Sequence, residues 1–190
     1  MTKQHFILLI IIFTVLCLVI PKGIKHYKFK QLLSCLNQND FEKFFSLADS
    51  RLTKLLFQPY NLEYLKLNAL LMKQDAKAID TQFDKLFKFK LTKIQKADLL
   101  SKAFSYYLKM TNKQKCQSLL KEIQMLDDPS LTKEAQKMYA IILEGNTNYI
   151  QETEEKLKTA NKEEKTYLSY LLAIQYKNLK DKQKSKELKV

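Results

Sequence analysis

The sequence predicts an all-α protein: an N-terminal transmembrane helix followed by an α-solenoid of about five antiparallel helical hairpins. A short turn recurs as Asn39-Asp40, Gln74-Asp75, Thr111-Asn112, Gly145-Asn146 and Lys180-Asp181. The second residues of these turns are 35, 37, 34 and 35 positions apart, a period typical of stacked helical hairpins. Only 2 glycines and 3 prolines occur among 190 residues, which favours long helices with short connections over sheets or glycine-rich loops. An apolar run precedes the first turn.

The apolar run covers residues 6–20, and its only polar member is Thr14. A spanning helix usually needs about 20 residues, whereas a signal-peptide core has about 7–15. Lys3 and Lys22 flank the run and can extend its usable length by reaching towards the two interfaces. No small-x-small cleavage site follows, so the run favours an uncleaved anchor, residues 1–24, over a removed signal peptide. A third possibility is a buried core helix. A helix at the chain terminus that is apolar on every face makes this less favoured than an anchor.

The distribution of charge around the anchor predicts its orientation. No acidic residue occurs between the run and Asp40, whereas four lysines do: Lys22, Lys25, Lys28 and Lys30. An excess of positive charge after a spanning helix favours retention of that side in the cytoplasm. We therefore expect a single-pass protein of the cell membrane whose repeat domain, residues 25–190, is cytoplasmic.

The hairpins follow one another after the anchor, with apolar residues at helical spacing on both sides of each turn. The first hairpin ends before Pro59, which forces Phe57 and Gln58 out of helical geometry. The next strong break is Asp127-Asp128-Pro129, after which Ser130 is expected to cap a helix. The fourth hairpin has a polar second helix, residues 148–160. The fifth ends in a lysine-rich tail, which suits the solvent-facing end of a stack.

The third hairpin carries a recognisable pattern of large and small residues. Its members are Leu100, Ala103 and Tyr107 before the turn, the small Cys116 after it, then Leu120, Ile123 and Pro129. This pattern resembles a tetratricopeptide repeat. Related patterns occur in the fifth hairpin (Leu172, Ala173, Tyr176, Ser185) and in the second (Leu62, Leu65, Ala69, Ala78).

The resemblance covers residues 28–190 but rests on degenerate positions. Phe44 and Ile150 replace the expected small residue in hairpins one and four. Small residues are needed wherever two helices approach closely, so another α-solenoid or an irregular helical bundle would use a similar code.

The resemblance also implies a binding surface. In tetratricopeptide-repeat proteins the first helices of the hairpins line a concave groove, and here the corresponding residues are Ser101, Ser105, Tyr139, Tyr167 and Tyr170. Tyrosine offers a large contact area at low entropic cost, and its hydroxyl can bond to peptide groups. The alternative is that these tyrosines simply pack between hairpins.

Residues for catalysis or metal binding are scarce. The only histidines, His5 and His26, flank the anchor, and the two glycines are isolated, so no His-based triad, zinc motif or phosphate loop can be assembled. Cys116 is expected to be a packing residue. We therefore predict a protein that is not an enzyme and binds neither cofactor nor metal.

The net charge of +13 allows two functional hypotheses. The first is a membrane-tethered adaptor or scaffold that binds a protein or peptide partner through the repeat groove. The second is a basic peripheral module that binds anionic lipid or nucleic acid near the membrane. Arg51 is the only arginine, and arginine is the usual reader of phosphates and bases, so nucleic acid is the less favoured ligand.

The membrane anchor gives a direct test. We expect the mature protein to retain residues 6–20 and to sediment with membranes, because the run is apolar on every face and no cleavage site follows it. Amino-terminal sequencing of the purified protein checks this. A mature chain that begins after residue 20 would contradict it.

Overall fold

The computed structural model describes residues 21–188, except for the side chains of Glu163 and Lys182. The apolar run at residues 6–20, which is the predicted helix of the anchor, lies outside this range. The described residues are largely helical and contain no strand, which confirms the all-α class. None of the helices within residues 21–188 combines the length and the apolar character needed to cross a membrane.

Eleven helices are described in this range. They are α1 (21–37), α2 (Phe41–Asp49), α3 (Arg51–Leu56), α4 (Pro59–Lys73), α5 (Ala76–Phe87), α6 (Lys93–Lys109), α7 (Lys113–Gln124), α8 (Pro129–Leu143), α9 (Ile150–Thr159), α10 (Lys162–Asn178) and α11 (Lys182–Glu187). They fall into two compact units, one ending at Lys90 and the other beginning at Leu91.

Four of the five predicted turns share one construction. The first residue of each turn is left-handed: Asn39 (φ 55°), Gln74 (φ 60°), Thr111 (φ 52°) and Lys180 (φ 65°). The N–H of the next residue donates to the carbonyl five positions back, as Asn112 does to Tyr107 at 2.9 Å. The side chain of that same residue then caps the following helix, with Asn112 Oδ1 accepting from the Lys115 N–H at 3.1 Å. Equivalent caps are made by Asp40, Asp75 and Asp181.

The turn at Gly145-Asn146 is built differently. Gly145 is left-handed (φ 72°), but the Asn146 N–H reaches back six residues, to the Ala140 carbonyl at 2.9 Å. Asn146 Oδ1 accepts from the Asn148 N–H instead of capping a helix, and α9 begins only at Ile150. The turn was predicted correctly, and the second helix, predicted for residues 148–160, spans Ile150–Thr159.

The helices are also interrupted in the first hairpin and before the fourth. Phe57 and Gln58 are extended before Pro59, as predicted. The second half of the first hairpin, predicted to be helical up to the break before Pro59, is interrupted at Ser50. Ser50 is extended and caps α3 by accepting from the Thr53 N–H at 3.4 Å. The expectation that Ser130 caps the fourth hairpin was wrong. Asp128 is the cap, because Pro129 occupies the first helical position and leaves the Leu131 N–H to be satisfied.

The unit ending at Lys90 is built on a core shared by α1, α2 and α4. Its buried members are Leu32, Cys35, Leu36, Phe44, Ala48, Phe57, Leu62 and Ala69. Within this unit α2 packs on α3 and α4, and α4 packs on α5. Phe44 is completely buried, so the large residue at an expected small position is accommodated inside the core.

The unit beginning at Leu91 contains packed neighbouring helices. Helix α6 packs on α7, α7 on α8, α9 on α10 and α10 on α11, and α8 also contacts both α6 and α10. Cys116 on α7 is completely buried, as expected for a packing position. Contact of one first helix with the next, in addition to its own partner, is compatible with a helical-repeat fold.

The turn construction predicts two substitutions of opposite sign. Thr111→Gly should raise the free energy of unfolding by about 0.5–1 kcal/mol, because a β-branched residue is strained at positive φ. Asn112→Ala should lower it by about 1 kcal/mol, because the Lys115 N–H loses its cap. Urea unfolding of both variants measures the effects. Lys113→Ala, which alters the exposed neighbour, is the control and should change stability by less than about 0.5 kcal/mol.

Candidate functional site

Two of the five predicted binding residues meet in one groove. Tyr167 and Tyr170 both project from α10 into a groove of about 810 Å³ in the second unit. The groove is also lined by Thr111, Ile142, Ala173, Ile174 and Lys177, among others. We call this surface the tyrosine groove. Its lining is mainly apolar with a single lysine, a composition suited to an apolar or aromatic anchor of a partner.

The two tyrosines of the groove differ in how much exposed surface and hydrogen-bonding capacity they leave for a partner. The Tyr167 hydroxyl donates to the Glu134 carboxylate on α8, so its polar end already has a partner. Burial and this hydrogen bond raise the pKa of Tyr167, which keeps the phenol neutral. Tyr170, one helical turn further on, leaves 51% of its surface exposed. Tyr170 is therefore the residue of the pair with most surface still to bury.

Tyr139 lies in a second depression and not among the residues that line the tyrosine groove. This depression, of about 680 Å³, is bordered by polar residues of α7 and α8 such as Gln117, Lys121 and Gln136. Only 6% of Tyr139 is exposed, and its buried hydroxyl has no hydrogen-bond partner among the described residues. Such a phenol is costly to bury, so a water or another polar group is expected beside it.

The two serines are on α6. The Ser101 hydroxyl donates to the Ala97 carbonyl at 2.8 Å, within its own helix. Ser105 is exposed. Neither is among the described residues that line the tyrosine groove. The structure thus brings together Tyr167 and Tyr170, and locates Tyr139, Ser101 and Ser105 elsewhere in the same unit.

Hydrogen bonds tie helix α10 to its neighbours, and some of them lie in the wall of the tyrosine groove. The Tyr176 hydroxyl donates to Glu154 on α9, and the Asn178 amide donates to the Ile141 carbonyl on α8 at 3.0 Å. The Ser185 hydroxyl donates to the Ala173 carbonyl at 3.0 Å and ties α11 to the same helix. A helix fixed to three neighbours presents Tyr170 in a defined position, which reduces the entropy lost when a partner binds.

A buried charged cluster in the first unit was not foreseen from the sequence. Glu63 and Lys66 on α4 are only 8% and 7% exposed. Glu63 accepts from Lys66 at 3.2 Å and from Gln82 and Lys85 on α5 at 2.8 Å each. Lys66 also reaches Asp49 at the end of α2, at 2.9 Å. The cluster therefore joins α2, α4 and α5.

The protonation of this cluster follows from its hydrogen bonds. Burial acts to raise the pKa of Glu63, but the hydrogen bonds from Gln82, Lys85 and Lys66 outweigh it and hold the pKa below its usual value. Burial likewise acts to lower the pKa of Lys66, and the bonds to Asp49 and Glu63 reverse the effect. Both groups stay charged at neutral pH, so the cluster is a structural tie and offers no proton for acid or base catalysis.

The buried thiol of Cys116 is also chemically quiet. Burial raises its pKa to about 11, so almost no thiolate exists at neutral pH. Across residues 21–188, no group of three or more His, Cys, Asp or Glu side chains is arranged to hold a metal ion.

Comparison of the chain with protein-family models, with curated proteins and with solved structures gives no match. The tetratricopeptide-like pattern therefore remains a resemblance carried by the residues named above. Any functional assignment has to be argued from the geometry of the chain itself.

The charged cluster predicts an acid-sensitive fold. An unfolded glutamate has a pKa of about 4.3, and the pKa of Glu63 in the folded chain is lower. The stabilising effect of Glu63 is therefore fully present above about pH 4.3 and is lost as the pH falls through the folded pKa. Glu63→Gln should lower the free energy of unfolding by about 2 kcal/mol at pH 7, and the difference from wild type should shrink below about pH 4. Urea unfolding across pH measures this.

The exposed Glu42 in the same unit supplies the matched control. Glu42→Gln should change stability at pH 7 by less than about 0.5 kcal/mol. Equal losses in the two variants would show that the Glu63 hydrogen bonds do not stabilise the fold.

Proposed function

We propose that the chain is a membrane-tethered adaptor that binds a protein or peptide partner through the tyrosine groove of a tetratricopeptide-like helical array. The observation that carries the proposal is that the half-exposed Tyr170 lines a mainly apolar groove on α10, a helix hydrogen-bonded to three neighbours. Exposed aromatic residues on rigid supports are frequent anchors of protein interfaces. No reaction is assigned to the protein.

The size of the groove supports a peptide or helix as the ligand. A volume of about 810 Å³ is at the upper end of small-molecule sites, and residues of α8, α10 and α11 line the groove. An amphipathic helix or extended segment could bury apolar side chains against Ile142 and Ile174 while its backbone meets Lys177 and Thr111. This extends the predicted site from Tyr167 and Tyr170 to their neighbours on α8 and α10.

Attachment to the membrane completes the proposal. The apolar run at residues 6–20 would hold the helical array at the bilayer surface and raise its local concentration near other membrane proteins. The lysines that follow the run favour a cytoplasmic array. Both points rest on the sequence.

The role of the groove is tested by comparing two exposed apolar positions of the second unit. Tyr170→Ala should weaken binding of an identified partner by about 30-fold or more, the usual effect of removing an interface anchor. Met125→Ala, at a position 78% exposed and outside the groove lining, should change affinity by less than about threefold. Affinities are measured with the detergent-solubilised full chain at moderate salt.

Two lysine variants separate this proposal from binding by charge alone. Lys93→Ala, outside the groove, should have an effect below about twofold at moderate salt because exposed charges are screened. Lys177→Ala, inside the groove, should have an intermediate effect. If Lys93→Ala weakens binding more than Tyr170→Ala, the adaptor proposal is wrong and the interaction is electrostatic.

A further inference from the structure

A second groove lies in the first unit, and its lining includes residues that follow the apolar run in the sequence. It has a volume of about 430 Å³ and is formed by the start of α1, the α3–α4 connection and α4. Its rim carries Lys22, Lys25 and His26 from α1. Its wall includes the rings of Phe57 and Tyr64, and Asn61 lies at its edge. We call this surface the basic groove.

The charge of the basic groove is of one sign. No carboxylate is among its described lining residues, and its three basic side chains are all exposed. Lys25 Nζ lies 5.5 Å from the centre of the Phe57 ring, so this cation is held over the apolar wall. A ligand that fits such a surface carries a negative group for the rim and an apolar part for the rings.

The position of the groove narrows the choice of ligand. Helix α1 is described from residue 21, directly after the apolar run, and each helical residue advances about 1.5 Å. Lys22, Lys25 and His26 are therefore within about 10 Å of the end of the run along the helix. That distance corresponds roughly to the polar layer of a bilayer, which is about 5–8 Å thick on each side. An anionic headgroup would meet these side chains at that depth.

We propose that the basic groove binds the headgroup region of one anionic phospholipid, with the phosphate between Lys22, Lys25 and His26 and the glycerol carbons against Phe57 and Tyr64. The biological setting rests on the proposed membrane attachment, but the binding itself does not depend on the tyrosine groove or on any protein partner. Such a lipid would fix the first unit against the membrane surface.

The test measures lipid retention by the full chain. Wild-type protein in a mild detergent is mixed with equal amounts of dioleoyl phosphatidylglycerol and dioleoyl phosphatidylcholine, and bound lipids are counted by native mass spectrometry. Wild type should retain one phosphatidylglycerol in preference to phosphatidylcholine. Lys22→Gln with Lys25→Gln should reduce that preference by about fivefold for each lysine removed. The charge-matched control, Lys109→Gln with Lys113→Gln in the second unit, should leave it unchanged.

A single substitution separates binding in the groove from general attraction to the protein. Asn61→Glu adds a negative charge at the groove edge, in the first turn of α4, where a glutamate suits the helix dipole and the fold should be kept. It should abolish the preference, whereas Asn61→Gln should retain it. Gln114→Glu makes the same change of charge in the first turn of α7, away from the groove, and should behave as wild type.

Several outcomes would overturn the proposal. Equal effects of Asn61→Glu and Gln114→Glu would show that lipid retention depends only on the net charge of the protein. Equal retention of both lipids, or of neither, would show that the groove does not select an anionic phospholipid. These results are independent of membrane attachment, which is decided by sedimentation of the protein with membranes, and of partner binding, which is decided by the Tyr170 variant.

Discussion

The structure depends on a two-residue turn that satisfies the ends of two helices at once. A helix leaves carbonyl groups unpaired at one end and N–H groups unpaired at the other, and both are costly if they are buried by packing. At Thr111-Asn112 the left-handed residue directs one N–H back to the finished helix, and the Asn side chain caps the next helix. Because the turn needs no longer loop, consecutive helices are brought side by side and can bury their apolar faces.

This local construction explains how much of the fold the sequence could predict. The Asp or Asn at the second position of the turn is visible without knowledge of tertiary structure, and helical spacing identifies the flanking elements. The break at Ser50 was missed because its cap occurs within an unbroken apolar period. The Glu63 cluster was missed because a glutamate three residues before a lysine is usual on a solvated face. Its burial depends on Asp49 and Gln82, which only the tertiary packing brings near.

The binding surfaces could also be predicted only in part from the sequence. Helical register predicted that tyrosines lie on first helices, but register does not decide what a side chain contacts. Tyr167 bonds to Glu134, Tyr139 is almost completely buried, and Tyr170 is half exposed. These three outcomes differ in how much area and hydrogen-bonding capacity remain for a partner. A tyrosine therefore becomes a candidate anchor only when its neighbours leave it a free face, and sequence alone does not supply that information.

The roles of the lysines likewise depend on their surroundings in the folded chain. Lys66 and Lys137 are 7% and 4% exposed, and each is paired with a carboxylate, Glu63 and Glu152 respectively. Each of these buried ammonium groups is compensated by at least one carboxylate, so these lysines belong to the fold. Lys22 and Lys25 instead border a groove that no described carboxylate lines. The net charge of +13 thus combines lysines with different physical roles. Their function is set by the groups around each ammonium and not by their number, which is why the basic groove is informative and the overall charge is not.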